Sequence, residues 1–397
     1  MGQEERLVGG YTGRMLLIAA LGWAAIQLAR FAVPPLLPEI RAELSLSLAQ
    51  AGVVLTVLQG VYALVQYPSG RLSDDWSRAT LLLPSFLVLS ISILLIGRAT
   101  GFLLLIAGMA VFGLGKGLYA IPARALMSDL FVERRGRALG IFSAGTDLGG
   151  VLASAAAVVA VAFATWRAVF VPIAIVLAAL GIVFYVWNEE SYKTRRSDLE
   201  FLSTARRLLA TPRQRQALLA FVLFYFMVNG VLNFLPEYLR ATKGLSAELA
   251  SAAFALLFAF GIVVKPASGA VSDRVPRQLV SIGGMILAMA SLALVLIVDS
   301  LVGIGIAIVL FAIGYKAQFP VIDAILLDAA PDENMGGDLG AARAIFLGVG
   351  SLGPAFVGYV ADRFDFTVAF AALVVALVIA SVILARQGRH AGERGPV

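Results

Sequence analysis

Twelve apolar runs, each long enough to cross a bilayer as a helix, alternate along this chain with short polar segments, and no other feature constrains its fold as much. They fall at approximately 15–38, 49–69, 79–97, 102–127, 138–161, 168–187, 217–239, 247–269, 278–298, 302–328, 339–361 and 366–385. Between Ala51 and Ser69 no charged side chain occurs, and then Arg71, Asp74, Asp75 and Arg78 arrive together. In hydrocarbon each segment has to satisfy its own backbone N–H and C=O groups, so runs of this length are helices. Composition agrees: 60% of the 397 residues are hydrophobic and 14% are charged, against about 25% charged in a soluble domain. The expectation is an all-α polytopic membrane protein with twelve transmembrane helices.

The punctuation of the first half returns in the second at an offset of about 199 residues. Gly70 and Asp74 recur as Gly269 and Asp273, Leu37-Pro38-Glu39 as Leu235-Pro236-Glu237, and Phe112 and Gly115 as Phe311 and Gly314. Pro122, Asp129 and Leu139-Gly140 find counterparts in Pro320, Asp328 and Leu339-Gly340. Matching halves of this kind build many secondary transporters. The expected organisation is therefore two pseudo-symmetric six-helix bundles, 1–187 and 217–397, joined by a cytoplasmic linker over 188–216 whose apolar face rests on the membrane surface.

The net charge of +6 would suggest nucleic acid in a soluble chain, but here its distribution matters more. Most of the 31 Lys and Arg fall in loops on the side of both termini, which predicts N and C termini in the cytoplasm and a place in the plasma membrane. The first apolar run is too long for a signal-peptide core and lacks a small-residue cleavage site. With no Cys and a single His, His390, in a polar tail, neither a thiolate nucleophile nor a metal site is expected. Gly348-Val-Gly350-Ser-Leu-Gly353 has the dinucleotide spacing, yet it follows no strand and meets Pro354, so helix packing is the expected role and no cofactor is assigned. Nothing resembles an enzyme's nucleophile elbow or a nucleotide-binding loop.

Charged residues inside the spans are the candidates for function, because each costs roughly 2.5–3.5 kcal/mol at the helix centre even on the lenient insertion scale. Arg30, Lys116, Arg124, Lys265, Lys316 and Arg343 face few acids, namely Asp147, Asp323 and Glu237. The surplus of cations predicts a mobile anion, held by Arg30 and Lys116 with Lys316 opposite. Helical spacing puts Trp23, Gln27 and Arg30 in one stripe, and Gln59, Tyr62 and Gln66 in another. Lys116, Tyr119 and Arg124 share an arc of span four, and Asn229 and Asn233 form a stripe with Glu237. Gln27, Tyr62, Gln66, Tyr119, Asn229, Asn233 and Gln318 are the expected pocket walls. Asp147, deep in span five, is the expected proton carrier, with Asp323 beside Lys316 as a second titratable acid.

Gly70-Arg-Leu-Ser-Asp74-Asp-Trp-Ser-Arg78 and Gly269-Ala-Val-Ser-Asp273-Arg274-Val-Pro-Arg277 resemble the inner-loop signature of the major facilitator superfamily. The resemblance implies that Asp74, and in the second copy Asp273, latch the bundles on the cytoplasmic side, with Gly70, Arg78, Gly269 and Arg274 completing the gating loops. Asp75 stands where the pattern has a basic residue, and Ser77 where it has glycine. Arg30 before Pro34-Pro35-Leu36-Leu37-Pro38-Glu39, with Leu44, Gly52, Tyr62, Gln66, Pro68 and Pro122-Ala-Arg124, is similar to the anion:cation symporter and organic-anion branches. That similarity implies an anion-binding role for Arg30 and Arg124. The glycine run from Gly145 to Gly150 contains no Pro, unlike the antiporter signature.

The expected function is secondary active transport of a small organic anion, such as a carboxylate, sugar acid or phosphate ester, by proton-coupled symport. Its partners would be the solute, protons and the lipid bilayer, with no nucleic acid, and the chain would work as a monomer. The alternative is a proton-coupled efflux antiporter for drugs or metabolites.

Overall fold

In a computed structural model, the structure describes residues 5–163, 165–195, 201–210, 212–328 and 335–392, and among them it contains helices and no strand. The first helices are α1 (Gly10–Leu44), α2 (Leu48–Asp75), α3 (Arg78–Gly97), α4 (Phe102–Leu130) and α5 (Arg135–Phe163). A 3-10 turn, Trp166–Val169, leads into α6 (Phe170–Trp187), and α7 (Phe201–Ala210) is short. Then come α8 (Pro212–Ala241), α9 (Ala247–Ser272), α10 (Arg277–Ile297), α11 (Leu301–Lys316) and α12 (Gln318–Asp328). Last are α13 (Met335–Gly350), α14 (Gly353–Arg363) and α15 (Phe366–Gly392). Twelve stretches among the described residues are long and apolar enough to span a membrane.

Local chemistry sets the starts of several helices. Ser77, Ser246 and Ser300 are N-caps whose side chains accept from Thr80, Leu249 and Gly303, satisfying donors that the first turn leaves free. Two expected spans are broken. The tenth divides at Ala317 into α11 and α12, and the eleventh divides between Gly350 and Gly353 into α13 and α14. Pro34, Pro35 and Pro38 lie inside α1, which continues past them to Leu44. Pro34, Pro35 and Leu36 are all buried, so packing holds the helix through the lost hydrogen bonds.

The chain forms two compact units, one of Met1–Leu46 with Val57–Leu199 and one of Ser47–Thr56 with Glu200–Val397. In each unit the first span lies on the fifth, and the third lies on the fourth and sixth. The repeat landmarks explain part of this likeness. A Cβ on Gly115 of α4 would sit 2.9 Å from Leu89 of α3, and one on Gly314 of α11 would sit 2.5 Å from the backbone of Ala288 in α10. Gly350 and Gly353 likewise give way to Tyr225 and Phe226 of α8, which accounts for the glycine pattern by packing.

The linker differs from expectation. Its first residues bind the turn between α2 and α3: Trp76 Nε1 donates to Arg195 O at 2.6 Å, and Ala79 N donates to the Glu190 carboxylate at 2.8 Å. Beyond it, α7 lies on α8 and α13 with Leu208 buried, so its apolar face is covered at least in part by protein rather than by the membrane surface.

Candidate functional site

In the first unit, Lys116 occupies the middle of α4 and is 1% exposed. Its neighbours Gly113 and Gly117 let α2 approach: a Cβ on either would lie 2.5–2.6 Å from Leu58 O or from Val65. That approach brings the Tyr62 ring to 4.2 Å from Lys116 Nζ, and Trp23 of α1 completes the aromatic wall at 5.9 Å. Arg124, two turns along α4, holds its guanidinium 5.7 Å from the same Trp23 ring and 5.8 Å from Phe142. Trp23 is fixed in turn by its Nε1 donating to Thr146 Oγ1 at 2.8 Å. One indole therefore serves two cations, each contact worth about 0.5–2 kcal/mol.

The positive charges of Arg30 and Arg124 both reach the Lys116 ammonium. Arg30 is half-buried, with its guanidinium 4.5 Å over Phe31. No ion pair among the described residues includes Lys116. Leaving water costs an ammonium several kcal/mol, which ring faces do not fully return. One amide atom of Gln27 and one of Gln66, both buried residues, also has no hydrogen-bond partner among the described residues. Gln27 lies one turn from Trp23 and Gln66 one turn from Tyr62, so unspent hydrogen-bonding capacity flanks the buried cation.

Tyr119 is placed differently from expectation. Its hydroxyl donates to Ala19 O at 2.8 Å, and its ring stacks on Trp23 and meets Phe86 edge-on, so it joins α4 to α1 rather than offering a free hydroxyl. Gly22 is what makes room, since a Cβ there would fall 2.4 Å from that hydroxyl. Asp147 is buried in α5 between Gly145 and Gly149, where α5 lies against α1.

In the second unit, Lys316 is 2% exposed at the end of α11, with Nζ 4.6 Å from the Phe258 ring and 5.2 Å from that of Tyr315. Lys265 faces Phe319 at 5.7 Å. Asn229 donates to Tyr225 O and Gly350 O, and Asn233 donates to Asn229 O, so both amides are drawn back onto the backbone. Gln318 departs from its expected role. It is fully buried, accepting from Ser281 Oγ at 2.7 Å and donating to Ser281 O at 2.9 Å, which makes it a joint between α12 and α10. The side chain of Asp323 lies outside the described residues.

At the turn after α2, Arg78 donates to Asp129 at 2.9 Å and to Ser73 Oγ at 2.8 Å, and lies 3.6 Å from Asp74. Gly70 is half-buried in the last turns of α2. At the corresponding turn after α9, Gly269 is half-buried while Asp273 and Arg274 are exposed. The residue that sequence reasoning left out of the site is Trp23, although the i, i+4, i+7 stripe it makes with Gln27 and Arg30 already pointed to it.

Twelve helices long and apolar enough to cross a membrane, with cations buried against aromatic rings, define the class as a multi-pass membrane protein. The family model of the Major Facilitator Superfamily matches residues 19–351, and the chain belongs to that superfamily. It is 24% identical over 349 residues to a hexuronate transporter of Bacillus subtilis (strain 168), covering 82% of each chain. It is 25% identical over 408 residues to the glycerol-3-phosphate transporter of the same organism, covering 92% of this chain and 89% of that one. Among solved structures, its fold matches the bacterial homologue of the human lysosomal transporter Spinster in an inward-facing, unoccupied conformation. That match has a TM-score of 0.81 at 19% identity, over 96% of this chain and 98% of that one.

Proposed function

We propose that this transporter carries a small organic anion, a carboxylate, sugar acid or phosphate ester, across the plasma membrane by alternating access, coupled to proton symport. The observation that carries the reading is Lys116, an ammonium buried against Trp23 and Tyr62 with no carboxylate beside it among the described residues. A substrate anion is the missing counter-charge, and Arg30 adds to the field that attracts it. Gln27 and Gln66 supply hydrogen bonds to the rest of the solute. Lys316 plays the corresponding part within its own unit. Asp147 carries the coupling proton. Hexuronate and glycerol 3-phosphate, named for two relatives, are both small organic anions.

Lys116→Met tests the reading in purified protein and in proteoliposomes. Without substrate the variant should melt at or above the wild-type temperature, since an unpaired buried charge has been replaced by an apolar chain of similar length. Its affinity for the transported anion should fall at least about 30-fold, as loss of one partner of a buried charge pair costs about 2 kcal/mol or more. Asp147→Asn should keep anion exchange but lose accumulation driven by a pH gradient. Wild-type uptake of carboxylates, sugar acids and phosphate esters by Lys116→Met would overturn the anion site.

A further inference from the structure

The polar groups left unspent around Lys116 are of two kinds. Lys116 Nζ and Gln66 Nε2 are donors: the ammonium meets the Trp23 and Tyr62 rings, and the amide nitrogen has no hydrogen-bond partner among the described residues. Gln27 Oε1 is an acceptor in the same condition. All three residues belong to the first unit, and none is more than 4% exposed. Leaving such a group unanswered forfeits the hydration it had in the unfolded chain, so each one marks a demand on whatever the site binds.

Close helix packing roots both amides. A Cβ on Gly149 of α5 would lie 2.8 Å from Gln27 Cβ, so the glycine lets α5 rest on the base of that side chain. Trp23, one turn earlier on α1, has already given its Nε1 proton to Thr146 Oγ1 and has none for Gln27. On α2, a Cβ on Gly117 would lie 2.6 Å from Val65, the residue before Gln66, so α4 fixes that stretch in the same way. Ser69, one turn beyond Gln66, is fully buried, and its hydroxyl also has no partner among the described residues.

The two kinds of group need different atoms on a solute. A carboxylate, or a phosphate ester as its dianion, only accepts hydrogen bonds, so it can satisfy Lys116 and Gln66 Nε2 but has nothing to give Gln27 Oε1. An ammonium on the solute would donate, yet Lys116, with the charges of Arg30 and Arg124 reaching it, repels one. A hydroxyl donates without adding charge. We propose that the first unit selects hydroxylated anions: the acid group meets Lys116, a hydroxyl on the carbon skeleton donates to Gln27 Oε1, and Gln66 Nε2 donates to an oxygen of the solute. The class is hydroxy acids, sugar acids and phosphate esters of polyols, and acids with a plain hydrocarbon chain are left out. This inference rests on the anion reading above and narrows it. An acid without hydroxyls strands the Gln27 oxygen, and a site built to pair with a hydroxyl rejects the analogue lacking it far more strongly than an apolar pocket rejects an added group.

Two matched pairs of probes test this by calorimetric titration of the purified full chain in detergent: gluconate against hexanoate, and glycerol 3-phosphate against propyl phosphate. The wild type should bind the hydroxylated member of a pair at least about tenfold more tightly. Gln27→Met keeps the length of the side chain but removes the acceptor, and should cut that ratio to about threefold or less. Gln66→Met should lower it as well. Without solute neither variant should melt below the wild type, because each loses a polar atom that was already unsatisfied. Equal binding within the pairs, or the wild-type ratio in both variants, would overturn the hydroxyl preference. Melting several degrees below the wild type would also overturn it, by assigning the two amides to the fold. The anion reading fails separately, if Lys116→Met binds all four probes as the wild type does; binding of none of them by the wild type would remove both.

Discussion

Three backbone N–H groups in the turn between α4 and α5, those of Val132, Glu133 and Arg134, donate to the carboxylate of Glu5 at 2.7–3.0 Å. The Glu133 N–H leads in holding that carboxyl below its usual range, helped by Val132, Arg134 and the Arg134 charge. A carboxylate whose folded value is depressed contributes above its unfolded value, and the contribution disappears as pH falls through the folded one. Hydrogen-exchange protection of Val132–Arg134 should thus be complete at neutral pH and lost on acidification below the ordinary glutamate range. Glu5→Gln should lose it at every pH, and unchanged protection in that variant would sink the clamp. Nothing in the sequence marks Glu5, because a carboxylate 127–129 positions from its partners has no local pattern. The buried cations are the opposite case: Lys116 and Lys316 stand out in apolar runs because hydrocarbon makes a charge conspicuous.

Glycine decides how the helices approach one another. In α5, a Cβ on Gly149 would fall 2.6 Å from Ala24 O of α1, a backbone atom that cannot move aside, whereas one on Gly140 of the same helix would meet nothing within 4 Å. Gly149→Ala should cost about 1–3 kcal/mol as α1 and α5 are forced apart. Gly140→Ala should be neutral or stabilise by up to about 1 kcal/mol through helix propensity. Detergent melting curves of the two variants check the contrast, and equal melting temperatures would contradict it. The repeat of Gly115 in Gly314 is legible in the sequence and has the same meaning in space, a close third-to-fourth span contact. Tyr119 and Gln318 read as pocket walls because helical spacing gives the face but not the neighbour. Ala19 O and the Ser281 side chain took up their polar groups first.

For the whole molecule, the excess of Lys and Arg on the side of the termini predicts that both termini are cytoplasmic. A thiol at Val8, 90% exposed, should react only with reagent on the cytoplasmic side, and one at Phe163, 86% exposed at the end of α5, only with reagent on the other side. Reaction of Val8→Cys from outside intact cells would reverse the topology. The sequence by itself determined the twelve spans, the doubling of the chain and the presence of charges that lipid would not accept. Each of these depends only on the solvent that a segment meets, and hydropathy records that residue by residue. The tertiary structure decided which polar groups remain available, where the tenth and eleventh spans break, and that α2 begins in one unit and ends in the other. Those outcomes depend on which backbone atom or ring comes within about 3–6 Å of a given side chain, a property of packed helices that no local pattern carries.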